Sequence, residues 1–467
     1  MVVNGKTDLL KDLNIEQAKA VTHGVGPLLI VAGAGTGKTT VITRRIAWLI
    51  EQGLAKPEEI LALTFTDKAA TEMEERVDLL LPTGYVDVTV STFHAFGERV
   101  LKDWGLEIGL PNDFRVLTPT EQWLMVRGRL DEFNLDYYQP LGNPTRFIHA
   151  LLTHFARAKD EEVYPYAYVK FAEGKKLDTG AGEFLKKGKR KSKAKKVEVV
   201  ESTSDESESV RLDEVARAYH VYQKMLLDAG ALDFGDLISY TLKLFRERPK
   251  VLQQFQTRYK YILVDEFQDT NYAQYELIKL LGGASGNITV VGDDDQSIYK
   301  FRGASISNIL EFKQDFPKST EVFLIENYRS CQNILDLSYN FIQQNNPYRL
   351  EVKLGGKGKL TKKLGAARRG KGEIEYMEFG TGQDEALGAV NKIAELKATT
   401  GANWRDFAIL VRANAQAAPF LQALRQLELP FDYVANRGLY RESIIVDVVS
   451  YLKLLDNYHG NIATSST

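Results

Sequence analysis

The stretch VAGAGTGKTT, residues 31–40, constrains the fold more than any other part of the chain. An apolar run, PLLIVAG, precedes it and a helix-like segment, GKTTVITRRIAWLIEQG, follows it, so the sequence predicts a strand, a turn and a helix. The spacing A-x-x-x-x-G-K-T is typical of a phosphate-binding loop, whose glycines let the backbone wrap a phosphate at a helix N-terminus. A glycine-rich turn without a ligand is the alternative. We expect Lys38 to reach the terminal phosphates and the Thr39 hydroxyl to bind Mg²⁺. The residues predicted to bind the nucleotide in this loop are Ala32, Gly33, Ala34, Gly35, Thr36, Gly37, Lys38, Thr39 and Thr40.

The composition is that of a soluble globular protein with several domains. The chain has 467 residues, of which 44% are hydrophobic and 26% charged, and this length suggests roughly three domains. A single cysteine, Cys331, excludes an internal disulfide and predicts a reducing cytoplasm. No apolar run approaches the roughly 20 residues of a membrane span. The net charge of −2 does not indicate nucleic-acid binding by the whole surface, so any such site must be local.

The order of strands and helices predicts one parallel sheet interrupted by a helical insertion. Residues 1–100 alternate apolar runs with helical segments, and the alternation resumes at YKYILVDEF, NITVVGDDDQ and EVFLIENYRS. Residues 101–222 between them are mostly amphipathic and helical. We therefore assign 1–100 and 223–308 to one α/β domain and 101–222 to the insertion.

A charged, low-complexity block lies inside this helical stretch. The basic run KKGKRKSKAKK is followed by the acidic, serine-rich VEVVESTSDESESV. Residues 186–210 bury too little apolar surface to order themselves, so we predict a mobile, solvated loop. An arm that grips DNA is the alternative.

The sequence after residue 309 predicts a second α/β unit. The Gly- and Lys-rich residues 355–372 are expected to form an exposed loop, and EIEYMEF and FAILVRA to form strands. A helix, IVDVVSYLKLLDNY, and a polar tail follow. We assign residues 309–446 to this second domain.

Acidic and polar residues at other strand ends complete the predicted nucleotide site. ILVDEFQDT ends an apolar strand with Asp265 and Glu266, and parallel sheets present ligands at the carboxyl ends of their strands. Asp265 suits the Mg²⁺ shell, and Glu266 suits a base that positions the attacking water. Gln296, after the next strand, could sense the γ-phosphate. Arg329 of NYRS could neutralise transition-state charge if it faced the nucleotide from another domain.

The segment SIYKFRG, after Gln296, has the composition of a base-stacking platform. Tyr299 and Phe301 are separated by one residue and would share a face if the segment is extended. With the charges of Lys300 and Arg302 beside them, they could stack on unpaired bases. Two core aromatics are the alternative.

Together these motifs resemble those of the UvrD/Rep/PcrA-type DNA helicases of superfamily one. LNIEQAKAV resembles the glutamine motif of that family, AGAGTGKT its phosphate-binding loop and TFTDKAATEM its first DNA-contacting motif. STFHAF, DFGDLI, VDEFQDTN, GDDDQSIYKFRGA and NYRS follow in the family's order. The wording QSIY favours this branch over the RecB-like nuclease–helicases. The resemblance covers nearly all the chain except the charged block and the tail.

The resemblance implies a RecA-like P-loop NTPase fold and an ATP-driven 3′→5′ translocase that separates duplex DNA in repair, replication or recombination. Its expected partners are single-stranded DNA, junctions of single and double strands, and repair proteins. Gln17 is expected to read adenine and Tyr328 to stack on it, while Gln296 and Arg329 couple the γ-phosphate to domain closure. The residues expected to line the path of single-stranded DNA are Phe65, His94, Tyr299, Phe301 and Arg302.

Two departures from the family pattern modify this expectation. Thr40 stands where many members have an arginine that packs on adenine. After NYRS we find no later helicase motif, so we expect an N-terminal portion of a longer helicase, with residues 447–467 beginning a second insertion. Such a chain is expected to bind ATP, to hydrolyse it poorly and not to unwind processively. The alternatives are an ATP- and DNA-binding fragment with little turnover, and an ATPase subunit of a nuclease complex.

Overall fold

A six-stranded parallel sheet forms the centre of the larger of two units into which the chain divides, residues 1–372 and 373–467. The computed structural model describes residues 8–81, 87–175, 201–283, 286–297, 307–354, 361–433, 447–448 and 451–452. The strand order is β3-β2-β6-β7-β1-β8. These strands are β1 (Leu28–Ala32), β2 (Ile60–Thr64), β3 (Thr89–Thr92), β6 (Tyr261–Val264), β7 (Ile288–Gly292) and β8 (Thr320–Leu324).

Both faces of the sheet are covered, which explains why its strands read as continuous apolar runs. Along β1, Leu29 and Val31 enter one hydrophobic core, whereas Leu28 and Ile30 enter the core on the other face. Short two-residue strands lie outside this sheet: β4 (Arg115–Val116), β5 (Ala231–Leu232), β9 (Glu326–Asn327) and β10 (Gly365–Ala366).

Helices cover the sheet and build the insertion. In the larger unit they are α1 (Ile15–Val21), α2 (Lys38–Glu51), α3 (Asp67–Leu80), α4 (Phe93–Trp104), α5 (Pro119–Gly128), α6 (Ile148–Asp160), α7 (described over residues 165–175), α8 (Glu201–Asp228), α9 (Phe234–Glu247), α10 (Pro249–Arg258), α11 (Tyr272–Gly282), α12 (Ser307–Asp315), α13 (Gln332–Ile342) and α14 (Leu350–Leu354). Among the described residues, no helix is long and apolar enough to cross a lipid bilayer. The predicted α/β fold, a parallel P-loop sheet with a helical insertion, is confirmed.

The insertion begins and ends later than its predicted bounds of 101–222. Leu101 and Phe114 belong to the core of the sheet, whereas a separate aromatic-rich core begins at Leu117 and ends at Ala231. The two-stranded parallel ladder of β4 and β5 lies at its entry and exit. We therefore place the insertion at residues 115–232. Amphipathic helices of the sheet domain and of the insertion have the same sequence pattern, which is why the pattern misplaced the boundary.

The prediction of a loop over residues 186–210 is wrong for residues 201–210. Residues 201–210 form the first turns of α8, whose later turns pack in the core of the insertion. The stretch ESTSDESESV has no proline or glycine and continues without a break into an amphipathic segment, so the helix extends through it. Residues 186–200 lie outside the described part of the chain.

The first sheet extends beyond the predicted boundary at residue 309. Strand β8, assigned from the sequence to the second domain, pairs in parallel with β1 and forms the edge of the first sheet. Ile309 and Phe312 of α12 lie in the core of that sheet. An apolar strand carries no sequence signal for which of two sheets it joins.

The described part of the smaller unit, residues 373–433 and four later residues, contains two long helices that pack on each other. Helices α15 (Gly382–Thr400) and α16 (Ala417–Gln426) enclose a small core that includes Val390. The strands predicted at EIEYMEF and FAILVRA are not formed, since no strand is assigned at 373–379 or 407–413. An alternating pattern suits a strand, but a ladder also requires a partner strand. The predicted helix IVDVVSYLKLLDNY lies mostly outside the described residues.

A buried polar seam joins the insertion to the sheet domain. The Lys159 ammonium of α6 contacts Asp233 Oδ2 at 2.7 Å and Asp236 Oδ1 at 2.8 Å, and all three side chains are nearly fully buried. The next residue, Asp160, accepts a hydrogen bond at 2.6 Å from Asn271 Nδ2. Burial raises the pKa of Asp160 to about 7, and the neighbouring charge of Glu161 adds to the shift.

We expect Asp160→Asn to reduce the loss of stability at high pH. The folded chain keeps the Asp160 proton up to about pH 7, whereas the unfolded chain releases it near pH 4, so the free energy of unfolding falls between these values. Between pH 5 and pH 8, the unfolding free energy of D160N should therefore rise by about 1–3 kcal/mol relative to that of the wild type. Urea unfolding at both pH values measures this difference. Asp103→Asn, on the exposed surface of α4, should follow the wild type, and equal pH dependence in D160N would refute the assignment.

Candidate nucleotide site

The phosphate-binding loop connects β1 to α2 at the carboxyl edge of the sheet. Gly35 and Gly37 have φ of 70° and 87°, in the left-handed region that glycine adopts without strain. The Thr36 hydroxyl closes the turn by donating to the Gly33 carbonyl at 2.8 Å. Helix α2 begins at Lys38, directly after Gly37, so its free N-terminal amides face the position predicted for the phosphates.

Gln17 ties α1 to this loop. Asn14 caps α1, and the Gln17 side chain accepts a hydrogen bond from the Asn14 amide at 3.1 Å. Gln17 Nε2 donates to the Thr36 carbonyl at 2.9 Å, and the side chain is buried. The Gln17 amide has a second N–H and a second lone pair, which are the groups that the predicted contact with adenine requires.

The Lys38 ammonium contacts two other side chains that were predicted to be catalytic. It lies 2.9 Å from Glu266 Oε2 and 3.3 Å from Gln296 Oε1. Glu266 also accepts a hydrogen bond from Gln268 Nε2 at 2.7 Å. The φ of Glu266 is 47°, a left-handed conformation that is costly for a residue with a side chain and that concentrates at functional sites.

Asp265 is buried beside Glu266 and is a candidate metal ligand. Its Oδ1 accepts a hydrogen bond from the Glu266 amide at 2.9 Å. Burial raises the pKa of Asp265 to about 6, and the negative charge of Glu266 adds to the shift. A buried carboxylate next to a second acid is stabilised by a cation, so Asp265 and the Thr39 hydroxyl fit the oxygen ligands that Mg²⁺ prefers.

The NYRS segment lies directly on the phosphate-binding loop. Asn327 Nδ2 donates to the Ala34 carbonyl, and the Tyr328 amide donates to the Gly35 carbonyl at 2.9 Å. Asn327 Oδ1 accepts hydrogen bonds from the Arg329 and Ser330 amides at 2.9 and 2.7 Å. Asn327 therefore fixes the backbone on both sides of Tyr328 against the loop.

The sequence suggested an arginine that faces the nucleotide from another domain, whereas Arg329 lies in the same compact unit as the phosphate-binding loop. It follows β8 and β9, and β8 pairs with β1, the strand that carries the phosphate-binding loop. A Cβ atom on Gly35 would lie 2.7 Å from Arg329 Cβ. Arg329 therefore approaches the nucleotide site from within the sheet domain.

A cavity of about 630 Å³ lies between the loop and NYRS, a size suited to a small ligand. Arg44, Glu72 and Arg76 line it and were not predicted. Arg44 follows Thr40 by one helical turn, so helical spacing could have found it; nothing in the sequence distinguishes Arg76. Ala32, Gly33, Thr36 and Asp265 do not line the cavity. The predicted residues that do are Gln17, Ala34, Gly35, Gly37, Lys38, Thr39, Thr40, Glu266, Gln296, Tyr328 and Arg329.

The residues predicted to contact DNA follow other strands of the same sheet. Phe65 comes directly after β2, and His94 lies in the first turn of α4, after β3. The His94 ring lies 5.6 Å from the ring of the exposed Phe234, edge to face, and burial lowers the pKa of His94. Strands β2 and β3 lie at the opposite end of the sheet from β1 and β8. Tyr299, Phe301 and Arg302 lie outside the described residues.

The chain belongs to the UvrD/Rep helicase family. The family model of the UvrD/REP helicase N-terminal domain matches residues 13–317, and the model of the UvrD-like helicase C-terminal domain matches residues 322–466. An ATP-dependent DNA helicase PcrA of Leuconostoc citreum is 36% identical over 459 residues, which are 97% of this chain and 54% of the relative. Proteins of the same description from Staphylococcus epidermidis and Staphylococcus aureus are 35% and 36% identical, each over 97% of this chain and 55% of the relative.

The expectation that no later helicase motif follows NYRS was wrong. The C-terminal domain model matches from residue 322 to residue 466, well beyond Arg329. The similarity to the C-terminal domain model extends over residues 322–466, so a search for short motifs did not reveal it. The chain spans about half the length of the curated relatives that it matches.

We expect Gly35→Ala to disturb the contact between the loop and NYRS. The added Cβ meets Arg329 Cβ at 2.7 Å and Asn327 Nδ2 at 2.8 Å, and the residue keeps a φ of 70°. The variant should lose about 2–4 kcal/mol of unfolding free energy and bind a fluorescent ATP analogue more weakly. Gly53→Ala has a similar φ of 66° with open space around it. Gly53→Ala should lose about 1–2 kcal/mol of unfolding free energy and keep its nucleotide affinity. Equal losses of stability and affinity in the two variants would show that the contact between the loop and NYRS is unimportant.

Proposed function

We propose that this chain is the motor part of an ATP-dependent DNA helicase, in which ATP hydrolysis drives movement along single-stranded DNA. The observation that carries this proposal is the convergence of Lys38, Glu266 and Gln296 on one point of a cavity that Tyr328 and Arg329 also line. The family and the description of the relatives as ATP-dependent DNA helicases support it.

The contacts of Lys38 suggest how ATP would be used. The Lys38 ammonium lies 2.9 Å from Glu266 Oε2. Phosphate oxygens would compete for the ammonium and free the Glu266 carboxylate to orient the attacking water. Mg²⁺, held by Thr39 and Asp265, would supply charge neutralisation of the phosphates. Arg329 would add positive charge as the terminal phosphate leaves, and Tyr328, with Gln17, would hold the base.

The finer features of the proposed function rest on the family resemblance. They are movement in the 3′→5′ direction, separation of duplex DNA, binding at junctions of single and double strands, and a role in repair, replication or recombination. Phe65 and His94, at the end of the sheet remote from β1, are proposed to contact the DNA strand.

The first test is ATP hydrolysis by this chain with and without single-stranded DNA. The wild type should be stimulated by DNA, and Lys38→Ala should abolish turnover. Glu266→Gln should bind ATP but hydrolyse it about 10²–10⁴-fold more slowly, because it loses the base. Lys19→Ala, on the exposed side of α1, is the matched control and should resemble the wild type. Nucleotide binding without turnover in the wild type would favour an ATP- and DNA-binding module instead.

A second test concerns the DNA path. Phe65→Ala and His94→Ala should each raise the single-stranded DNA concentration that gives half-maximal stimulation by about tenfold, because one stacking contact contributes about 1–3 kcal/mol. Phe171→Ala, an exposed aromatic of α7, should leave that concentration unchanged. If Phe171→Ala shifts it as much as the other two, the proposed path is wrong.

A further inference from the structure

A short segment late in the larger unit packs against the nucleotide site. Residues 361–367, which we call the clasp, contain β10, whose residues Gly365 and Ala366 pair in parallel with Glu326 and Asn327 of β9. A Cβ atom on Gly33 would lie 2.7 Å from Leu364 Cδ2, so Leu364 covers the start of the phosphate-binding loop. The clasp therefore contacts both the loop and the strand that leads to Arg329.

Lys362 of the clasp is buried among three carboxylates, although the sequence predicted an exposed loop there. Its ammonium contacts Asp293 and Asp294, and it lies 2.8 Å from Asp295 Oδ2. The Lys362 side chain is only 6% exposed. Burial opposes its charge, but the three carboxylates outweigh burial and raise the pKa of Lys362 above its usual value. Lys362 is therefore a permanent cation, and its ammonium fills the space in which these acids could otherwise hold a metal ion.

A second cation supports the same acidic turn, residues 293–295. Arg349 makes a bidentate pair with Asp295, with Nε and Nη2 each 2.7 Å from a carboxylate oxygen, and its Nη1 lies 2.8 Å from Glu351. The Leu350 amide donates to Asp294 Oδ2 at 2.7 Å. Each carboxylate of the turn thus has a partner from residues 349–362.

The acidic turn sets the position of Gln296. Asp293 Oδ2 accepts a hydrogen bond from Gln296 Nε2 at 2.7 Å, and the Gln296 amide donates to the Asp293 carbonyl at 2.9 Å. The other end of the Gln296 side chain accepts from Lys38 at 3.3 Å. An unbroken series of polar contacts therefore runs from Lys362 through Asp293 and Gln296 to Lys38.

We propose that Lys362 is a positioning residue for ATP hydrolysis: by neutralising the acidic turn it holds Gln296 against Lys38, and so links the clasp to the phosphate-binding loop. This inference rests on the ATPase activity proposed above. Without the ammonium, the buried carboxylates of Asp293 and Asp294 would lose their cation and repel each other and the half-buried Asp295, and the turn would open. Gln296 would then move from its place while the loop itself, which Lys362 does not touch, would remain able to bind nucleotide.

The test is the steady-state ATPase of the full chain with Lys362→Met. We expect kcat to fall by about 10²-fold, the effect of a misplacement near 1 Å at a reacting group, with the Kd of a fluorescent ADP analogue unchanged. Lys363→Met is the matched control, because the neighbouring Lys363 is 56% exposed and pairs with Asp336 at the surface. It should keep the wild-type kcat.

A second variant separates positioning from general destabilisation. Lys362→Met combined with Asp294→Asn removes one charge of each sign, so its kcat should lie between those of Lys362→Met and the wild type. If Lys362→Met does not fold, a lowered kcat with unchanged ADP affinity in the double variant supports the proposal. A wild-type kcat in folded Lys362→Met overturns it, as does a wild-type kcat in the double variant when Lys362→Met does not fold, or a parallel loss of kcat and ADP affinity. If the wild type shows no ATPase, the proposed function fails first, and the Lys38→Ala comparison identifies that case.

Discussion

The nucleotide site depends on the pairing of β1 with two strands from distant parts of the chain. β1 pairs in parallel with β7 on one side and β8 on the other, with Leu28 opposite Thr289 and Thr320. Because parallel strands end at the same edge, this register brings the phosphate-binding loop, Gln296 and Arg329 together from positions almost 300 residues apart in sequence. A slip of one residue in either pairing would turn buried side chains toward the wrong face and separate these groups. The buried Arg45 secures the arrangement: from α2 it donates to Thr289 Oγ1 of β7 at 3.0 Å and to the Ala20 carbonyl of α1 at 3.3 Å.

Charge, rather than apolar contact, organises the inner surface of the nucleotide site. Lys38 and Lys362 each face carboxylates of strand-end turns, and Gln296 lies between the two groups. Removing one member of a buried charged pair costs more than the pair contributes, because the remaining charge is left unsolvated. Such a network holds its geometry before a ligand arrives, which lowers the reorganisation needed during a reaction. The strained φ of Glu266 is tolerated in the same way, since hydrogen bonds to its neighbours hold it.

The sequence predicts the parts of this molecule that carry a local signal. β1, β2, β6 and β7 are continuous apolar runs ending in glycine, threonine or acids, and the loop from Gly33 to Thr39 has a spacing that few other structures need. Where tertiary packing decides which strands or side chains pair, the sequence carries no such local signal. The edge position of β8 is set by its pairing with β1, and Lys362 lies in a Gly- and Lys-rich stretch that looks exposed until the acidic turn meets it. The stretches EIEYMEF and FAILVRA show the converse, because their strand-like pattern is local whereas a ladder requires a partner strand.

The polar seam of the insertion ends at the turn that follows Asp265 and Glu266. Asp233 caps α9 and binds Lys159 of α6, while Asp160, the next residue of α6, binds Asn271, the cap of α11. Asn308 donates to the Thr270 carbonyl at 2.9 Å from the side of α12. The turn from Glu266 to Asn271 is therefore held by buried hydrogen bonds from two helices and cannot shift alone without breaking one of them. A displacement of the backbone at Asn271 would strain its hydrogen bond to Asp160 of α6, and so would reach the insertion unless that bond breaks.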